Sequence, residues 1–243
     1  MLLNPDKSEA LFVGTRAQKA KINSTCLSVD GAVVPFRKSI KCLGVTIDSE
    51  VTMNAHITEI VKSCNYHLKA LRHIRPVLGR EPAETIARSI ILSKLDYFNS
   101  VLSGCSDLAI DRLQKVQNSL ARVVTGSNWR EHITPVLIDL HWLPVKYRIN
   151  YKLAVLTYST HLSKVPNYLS ELLTEYVPAR TLRSCVDPKL VVPRTTSALA
   201  TRAFSVSAPT VWNSLPTSLR NSDSLSAFKS GLKTFYFNLA YNT

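Results

Sequence analysis

Glycine, closely spaced cysteines and long apolar runs are all scarce in this sequence. Only 7 of its 243 residues are glycine, and none forms the clustered set that precedes a helix in a phosphate-binding loop. The cysteines stand far apart, without the pairing typical of zinc sites or disulfide frameworks, at Cys26, Cys42, Cys64, Cys105 and Cys185. No apolar run approaches the roughly 20 residues that cross a bilayer, and the first residues contain no secretory signal. We therefore expect a soluble intracellular protein, in the nucleus or the cytoplasm, with no membrane partner.

The residue patterns of common active sites are missing too. The sequence has neither the G-x-S-x-G turn of hydrolases nor the H-E-x-x-H zinc motif, and it contains no tight acidic turn. Two-metal nucleotidyl transfer needs two carboxylates that converge on ions about 4 Å apart. Asp48 and Glu50 would share one face of a strand, but Asp48 ends that strand, where aspartate ordinarily stabilises a turn. We predict no catalytic residue, no metal ligand and no cofactor.

Positive charge is abundant and unevenly distributed. The chain carries 30 Lys and Arg against 17 Asp and Glu, a formal charge of +13. Residues 1–80 and 140–243 contribute +6 and +8, whereas residues 81–139 contribute −1. Such an excess indicates polyanionic partners and carries no information about the fold. The flanking regions are therefore the better candidates for contacts with nucleic acid.

The periodicity changes from strand-like to helical near residue 50. Strand-like apolar runs occupy residues 10–13, 26–29, 32–36 and 42–47, and Asp30-Gly31 is a strong hairpin signal. Three helical stretches of about twenty residues follow, which predicts a small bundle. Their apolar stripes are Ile57, Ile60, Val61, Cys64, Leu68, Leu71 and Leu78; then Ile86, Ile90, Tyr97 and Val101; then Leu113, Val116, Leu120 and Val124.

The residues beyond Trp129 predict a mostly helical, loop-rich region. His141-Trp142-Leu143-Pro144 leads into a helix through Tyr151, Leu153 and Leu156. Residues 176–210 are rich in Pro, Ser, Thr and Arg without a clear period, which predicts mostly loop. The last helix has its apolar stripe at Leu225, Phe228, Leu232, Phe235 and Leu239. The expected fold is α+β: a short antiparallel β segment at 1–50, a helical bundle at 51–128 and a mostly α region at 129–243.

A basic stripe with an aromatic residue marks the first helix. Lys62, Tyr66, Lys69 and His73 recur every three or four residues, opposite the apolar stripe, and Arg72 and Arg80 can add to it. Only Glu59 offsets the five Lys and Arg between residues 54 and 80. Such a stripe suits a phosphate backbone, although a solvated face is the ordinary alternative.

We expect the other basic candidates to face solvent and the other aromatic candidates to lie in the core. Lys115, Asn118 and Arg122 form a weaker stripe that we expect to face solvent. Trp142 and Trp212 are most simply core residues, with base stacking as the alternative. Lys229 and Lys233 lie opposite the last apolar stripe, and we expect both to be solvated.

Several motifs, in order along the chain, resemble those of Jockey-related LINE-type (non-LTR) reverse transcriptases. Residues 4–9 (NPDKSE) with 11–14 (LFVG) look like the palm motif that follows the catalytic aspartates, and residues 40–48 (IKCLGVTID) resemble the primer grip. His56-Ile57 would open the thumb. The similar downstream stretches are residues 93–100 (SKLDYFNS), 112–118 (RLQKVQN), 140–144 (LHWLP) and 208–216 (APTVWNSLP).

The resemblance implies a catalytically incomplete part of an RNA-directed DNA polymerase: the end of the palm, the primer grip, the thumb and the region after it. Magnesium is expected only for an intact polymerase. Lys7 would then lie near an incoming nucleotide, and Lys41, Leu43 and Gly44 near a primer; solvated lysines and a simple bulge are the alternatives. The expected partner is RNA or an RNA/DNA hybrid, bound without sequence preference.

Two other functional hypotheses remain open. The strand at residues 10–13 would pair, in such an enzyme, with catalytic-motif strands that precede it, so we expect it to leave an unpaired edge. An unpaired strand edge, and a helical bundle without its usual neighbours, would leave apolar surface exposed. Such a surface would suit a protein-interaction module. The chain would otherwise be a translated relic without function.

Overall fold

The computed structural model describes residues 4, 7–14, 16–21, 24–29, 31–177 and 189–242. The chain separates into two compact units, Met1–Ser63 and Cys64–Thr243. Small sheets occur in the first unit and helices dominate the second, so the predicted α+β class is confirmed. The predicted division at residues 50 and 128 stays a prediction.

The described part of the first unit forms two small sheets. Its strands are β1 (Ala10–Leu11), β2 (Cys26–Val29), β3 (Ala32–Arg37), β4 (Ser39–Cys42) and β5 (Val45–Asp48), with helix α1 (Arg16–Lys19) between β1 and β2. β3 lies in the centre of the first sheet, antiparallel to β2 and parallel to β1. The predicted hairpin across Gly31 is confirmed, although Asp30 lies outside the described residues. β1 therefore has a partner on one side.

A tight hairpin replaces the single strand predicted at residues 42–47, so that prediction was wrong. β4 and β5 pair antiparallel from Ser39↔Asp48 to Cys42↔Val45, which leaves Leu43 and Gly44 as a two-residue turn. Both turn residues have positive φ, 47° and 81°, as the turns that match strand twist require. Leucine rarely adopts such a φ, so a turn at Leu43 is not expected from the sequence.

The long helix α2 (Asn54–Ile74) begins in the first unit and ends in the second. Ile57, Ile60, Cys64, Leu68 and Leu71 of the predicted stripe are buried, whereas Val61 is only half-buried. Leu78 follows the helix, after a 3₁₀ turn at Arg75–Val77 that contains Pro76. Proline has no N–H to continue the helical hydrogen bonds, and the helix ends just before it.

The second helical stretch differs most from its prediction. It consists of α3 (Arg80–Ile86), a π-helical stretch (Ala87–Leu92) and α4 (Ser93–Asp96), followed by a 3₁₀ turn at Asn99–Leu102. Its buried side chains include Ala83, Ala87, Ile91, Leu92 and Leu95. Ile90, Tyr97 and Val101 are exposed, so the predicted stripe was wrong. The i→i+5 bonds of the π stretch widen the helical turn, and residues four apart then share the buried face.

The third helix, α5 (Asp107–Thr125), agrees with its prediction. Leu113, Val116, Leu120 and Val124 are all buried. Ser106 caps its first turn by accepting a hydrogen bond from the Ala109 N–H at 3.4 Å. Gly126 ends it at φ +75°, the left-handed conformation that glycine adopts without strain.

Six more helices are described beyond residue 129. They are α6 (Ile133–Asp139), α7 (Val145–Ser163), α8 (Asn167–Ser170), α9 (Phe204–Asn213), α10 (Thr217–Arg220) and α11 (Leu225–Tyr241). The mostly helical prediction is confirmed. The loop predicted at 176–210 was wrong for residues 204–210, which begin α9; residues 178–188 lie outside the described part.

Aromatic side chains form the core where α7, α9 and α11 pack together. The rings of Tyr158 and Phe228 stack with their centroids 4.3 Å apart, and Trp212 lies 6.0 Å from Phe228. Trp142 and Trp212 are 3% and 1% exposed, which confirms their prediction as core residues.

The last helix buries only part of its predicted stripe. Phe228 and Leu232 are fully buried, Phe235 is half-buried, and Leu225 and Leu239 are exposed. Tyr236, absent from the predicted stripe, is buried as well, and burial raises the pKa of its hydroxyl above its ordinary value. Lys229 and Lys233 are exposed, as predicted.

Four of the five cysteines lie in the described residues. Cys26, Cys42, Cys64 and Cys105 form no disulfide bond with one another, and Cys185 lies outside the described part. Burial raises the pKa of Cys64 to about 11, so its thiol stays protonated at neutral pH.

Candidate nucleic-acid interface

The exposed side of α2 carries the predicted basic stripe. Lys62, Tyr66, Lys69, Arg72 and His73, here called the basic face, are all exposed. Lys62 belongs to the first unit, and the other four belong to the second. Tyr66 is 74% exposed, and its ring meets that of His67 edge-on at 5.3 Å. The helical period therefore brings the predicted residues to one side of a single helix.

The cations of the basic face are not neutralised by neighbouring carboxylates. Among the residues that the structure describes, Lys62, Lys69 and Arg72 have no ion pair. Glu59, the one acidic residue of α2, instead accepts a hydrogen bond from the Thr46 hydroxyl at 2.9 Å and lies 3.8 Å from Lys41 Nζ. The charge of the face is thus available to a polyanion.

Arg80 and Lys41 differ from these cations because both have acidic partners. Arg80 forms an ion pair with Asp139 of α6, and Lys41 pairs with Glu59. Both pairs are largely exposed, and such pairs exchange readily with water or a competing anion. The two side chains remain candidates, although a phosphate would have to compete with a carboxylate.

The remaining candidates lie in the first unit. Leu43 and Gly44 form the tip of the β4–β5 hairpin, where Leu43 is 75% exposed. Lys7 is exposed, and its backbone N–H donates to the Asn4 carbonyl at 3.2 Å in a turn before β1. The tip of the hairpin exposes the backbone of Gly44 and the side chain of Leu43. Both are accessible to a nucleic-acid strand.

Asp48 has the structural role that its position predicted. Its carboxylate accepts hydrogen bonds from the backbone N–H groups of Glu50, Thr52 and Met53 and from the Thr52 hydroxyl, at 2.8 to 3.1 Å. Burial alone would raise the pKa of Asp48, but these hydrogen bonds together hold it below its ordinary value. Asp48 thereby fixes the turn that leads into α2. The described residues contain no cluster of three or more His, Cys, Asp or Glu that could hold a metal ion.

A second basic feature, missed from the sequence, lies in the second unit. The ends of α2 and α5 and the loop after α5 enclose a groove of about 610 Å³, here called the Trp129 groove. Its polar and aromatic lining consists of Arg72, Arg75, Ser119, Arg122, Ser127 and Trp129. Among the described residues, no acidic side chain lines it. It joins residues up to 57 positions apart, which no local periodicity could indicate.

Arg75 serves as an anchor within this groove. Its guanidinium donates to the carbonyls of Val123 and Val124, at 3.0 to 3.1 Å, and to that of Leu78 at 2.6 Å. The carbonyls of Val123 and Val124 belong to the last turn of α5, where no helical N–H remains to satisfy them. Arg75 therefore caps α5 from the 3₁₀ turn that follows α2.

Replacing Arg75 by alanine should lower the free energy of unfolding by roughly 1.5–3 kcal/mol, because its charged hydrogen bonds to the last carbonyls of α5 are lost. Urea unfolding followed by circular dichroism measures this change. Lys69→Ala, on the exposed side of α2, is the matched control and should stay within about 0.5 kcal/mol. Equal stability of the two variants would show that Arg75 is not an anchor.

A further cavity, of about 600 Å³, has a mixed charge. Arg148 forms a two-point ion pair with Asp96 in its wall, and Asn99 donates to the same carboxylate at 3.3 Å. Asp96 already accepts the hydrogen bonds of the Arg148 guanidinium and neutralises its charge. This cavity therefore suits an anion less well than the Trp129 groove does.

A known transposon protein is similar to part of this chain. It is named "Probable RNA-directed DNA polymerase from transposon X-element", from Drosophila melanogaster, and it is 28% identical over 159 residues. The similarity covers 63% of this chain and 17% of that protein, so the chain spans a small part of its relative's length. No family model and no solved structure matches the chain. In the described residues, no helix has the length and apolar character of a membrane span.

Proposed function

We propose that this chain corresponds to the primer-grip, thumb and downstream region of a Jockey-related LINE-type reverse transcriptase, and that it binds RNA or RNA/DNA hybrids without sequence preference. The similarity to a transposon RNA-directed DNA polymerase supports the relationship with LINE-type reverse transcriptases. The proposed activity is binding alone. The sequence contains no tight acidic turn that could hold two catalytic metal ions.

The basic face of α2 is the observation that carries this proposal. It presents Lys62, Lys69 and Arg72 without ion pairs in the described structure, together with the exposed ring of Tyr66. Cations that neutralise phosphates release condensed counterions, which makes binding favourable and independent of sequence. An exposed aromatic ring among them adds a surface on which a base or sugar can pack.

The hairpin tip supports the same assignment from the first unit. A two-residue turn with positive φ at both positions holds Leu43 and Gly44 in one conformation, and Gly44 adds no side chain to obstruct a second backbone. In the proposed function this tip contacts the primer strand, with Lys41 beside it, and Lys7 contributes a further positive charge. Arg80 adds to the basic face once a phosphate displaces Asp139.

Affinity for an RNA/DNA hybrid should fall steeply as salt is raised, since each neutralised phosphate contributes about −0.9 to the slope of log K against log salt. Fluorescence anisotropy with a labelled hybrid, titrated at several KCl concentrations, measures this slope. A hybrid of unrelated sequence should bind equally well. Absence of binding at low salt would contradict the proposal, and so would primer extension by the purified chain in the presence of Mg²⁺.

A protein-interaction role stays a prediction. The exposed apolar side chains of the described sheet do not form one patch: Leu27 and Val33 lie on opposite faces of the β2–β3 pair, as their register requires. A protein partner that co-purifies in stoichiometric amount after nuclease treatment would favour this role over nucleic-acid binding.

A further inference from the structure

The Trp129 groove combines arginine donors with an exposed indole, and this combination points to a particular ligand. Trp129 is 74% exposed, whereas Trp142 and Trp212 are buried. The guanidinium of Arg130 lies 5.1 Å from the centre of the Trp129 ring. An exposed indole beside arginine side chains offers a flat face on which a base can stack.

The three arginines of the groove are not equivalent. Arg75 is occupied by the backbone carbonyls at the end of α5. Arg122 donates once, from Nη2 to the Glu131 carbonyl at 3.1 Å, while its Nε is buried and has no hydrogen-bond partner in the described structure. Arg72 is exposed and unpaired there. Arg72 and Arg122 thus retain donors for an anion.

A guanidinium that lines a groove without a carboxylate partner can donate to a ligand that supplies acceptors. Phosphate oxygens suit this role because a guanidinium can donate to two of them at once. The hydroxyls of Ser119 and Ser127 also line the groove and can donate or accept. The groove therefore offers both charge and directed hydrogen bonds to one phosphate.

The indole specifies what must accompany that phosphate. A base with an accessible π-face stacks on an exposed aromatic ring, whereas the bases of a duplex already stack on one another. The volume of about 610 Å³ lies in the range of sites that hold small organic ligands, which is enough for one nucleotide. A blunt duplex could place its phosphates in the groove, but its interior bases are not free to stack on Trp129.

We propose that the Trp129 groove binds one unpaired nucleotide of a nucleic-acid strand, with its base stacked on Trp129 and its phosphate held by Arg72 and Arg122. This inference rests on the proposed function and deepens it. The basic face binds phosphates of any nucleic acid, and the Trp129 groove adds a preference for single-stranded segments. A free mononucleotide offers the same chemistry, but it would lack the strand's further contacts with the basic face.

The test compares Trp129→Ala with the unchanged chain on two ligands: a single-stranded RNA of about twelve nucleotides and a blunt RNA/DNA hybrid. The variant should bind the single strand roughly tenfold more weakly, because stacking of one base is lost. Its affinity for the hybrid should stay within about twofold. Trp129→Phe should restore most of the affinity for the single strand.

Tyr168→Ala is the matched control, since Tyr168 is 70% exposed in the same unit but outside the groove. Its affinity for both ligands should match that of the unchanged chain. Iodide quenching gives an independent readout, because Trp129 is the exposed tryptophan and the bound single strand should protect it.

The two proposals fail differently. Unchanged single-strand affinity in Trp129→Ala, with no protection from iodide, would overturn the nucleotide site while the salt-dependent binding stands. Absence of binding to either ligand by the unchanged chain would overturn both proposals. Protection by free AMP equal to that by the single strand would overturn the assignment to a strand.

Discussion

Replacing Lys62 and Lys69 by glutamate should weaken binding to an RNA/DNA hybrid on the order of fiftyfold at 0.1 M salt. Both ammonium groups are exposed and have no ion pair in the described structure. If each contacts one phosphate, each contributes close to a factor of ten at this salt concentration. The slope of log K against log salt should decrease in magnitude by about 2, which anisotropy titrations in KCl can resolve.

The matched control reverses two lysines elsewhere. Lys229→Glu with Lys233→Glu changes the net charge by the same amount on the exposed side of α11. If binding depends on the basic face, this variant should lose far less affinity than the first one. Similar losses in both variants would show that overall charge, and not the face of α2, determines binding.

The largest effect on stability should come from Trp212→Ala, which should lower the free energy of unfolding by about 3–5 kcal/mol. Trp212 is 1% exposed, and its ring lies near those of Tyr158, His161 and Phe228 at 5.8 to 6.3 Å. Removal of the indole leaves a cavity that helices α7, α9 and α11 cannot fill without moving. Urea unfolding monitored by circular dichroism measures the change.

Trp212→Phe separates packing from other effects, because it preserves a ring and should recover much of the lost stability. Tyr168→Ala, which removes an exposed ring, should stay within about 0.5 kcal/mol of the unchanged chain. The core role of Trp212 would be wrong if its alanine variant unfolded at the same urea concentration as the Tyr168 variant.

Amphipathic helices were predictable from the sequence, because their apolar period survives folding. The stripes of α2 and α5 appear as expected, with Ile57 and Leu113 fully buried. The second helical stretch failed because a π-helical segment at Ala87–Leu92 changes the number of residues per turn. A regular period of 3.6 then assigns Ile90 to the wrong side.

The turn at Leu43-Gly44 was missed for a different reason. Apolar residues on both sides of it continue the pattern of one strand, and only Gly44 suggested a bend. Leucine at positive φ is stabilised by the surrounding hairpin and not by its own preference. Tertiary context thus determined what the local sequence left open.

One candidate site could be predicted from local sequence and the other could not. The basic face lies on one helix, so its spacing was enough to predict it. The Trp129 groove joins the ends of two helices and a loop, and Arg122 had been expected to face solvent. The structure instead places its Nε in a buried position beside the groove. Only folding brings these residues together.

The capping of α5 by Arg75 also changes the electrostatic potential inside the groove. The C-terminus of a helix carries roughly half a negative charge, which would repel a phosphate at this position. The guanidinium of Arg75 lies directly on the carbonyls that produce this charge. An anion approaching Arg72 and Arg122 therefore meets a neutralised helix end. Arg75 thus reduces the repulsion between the helix end and a phosphate in the groove, even if the phosphate does not contact Arg75 itself.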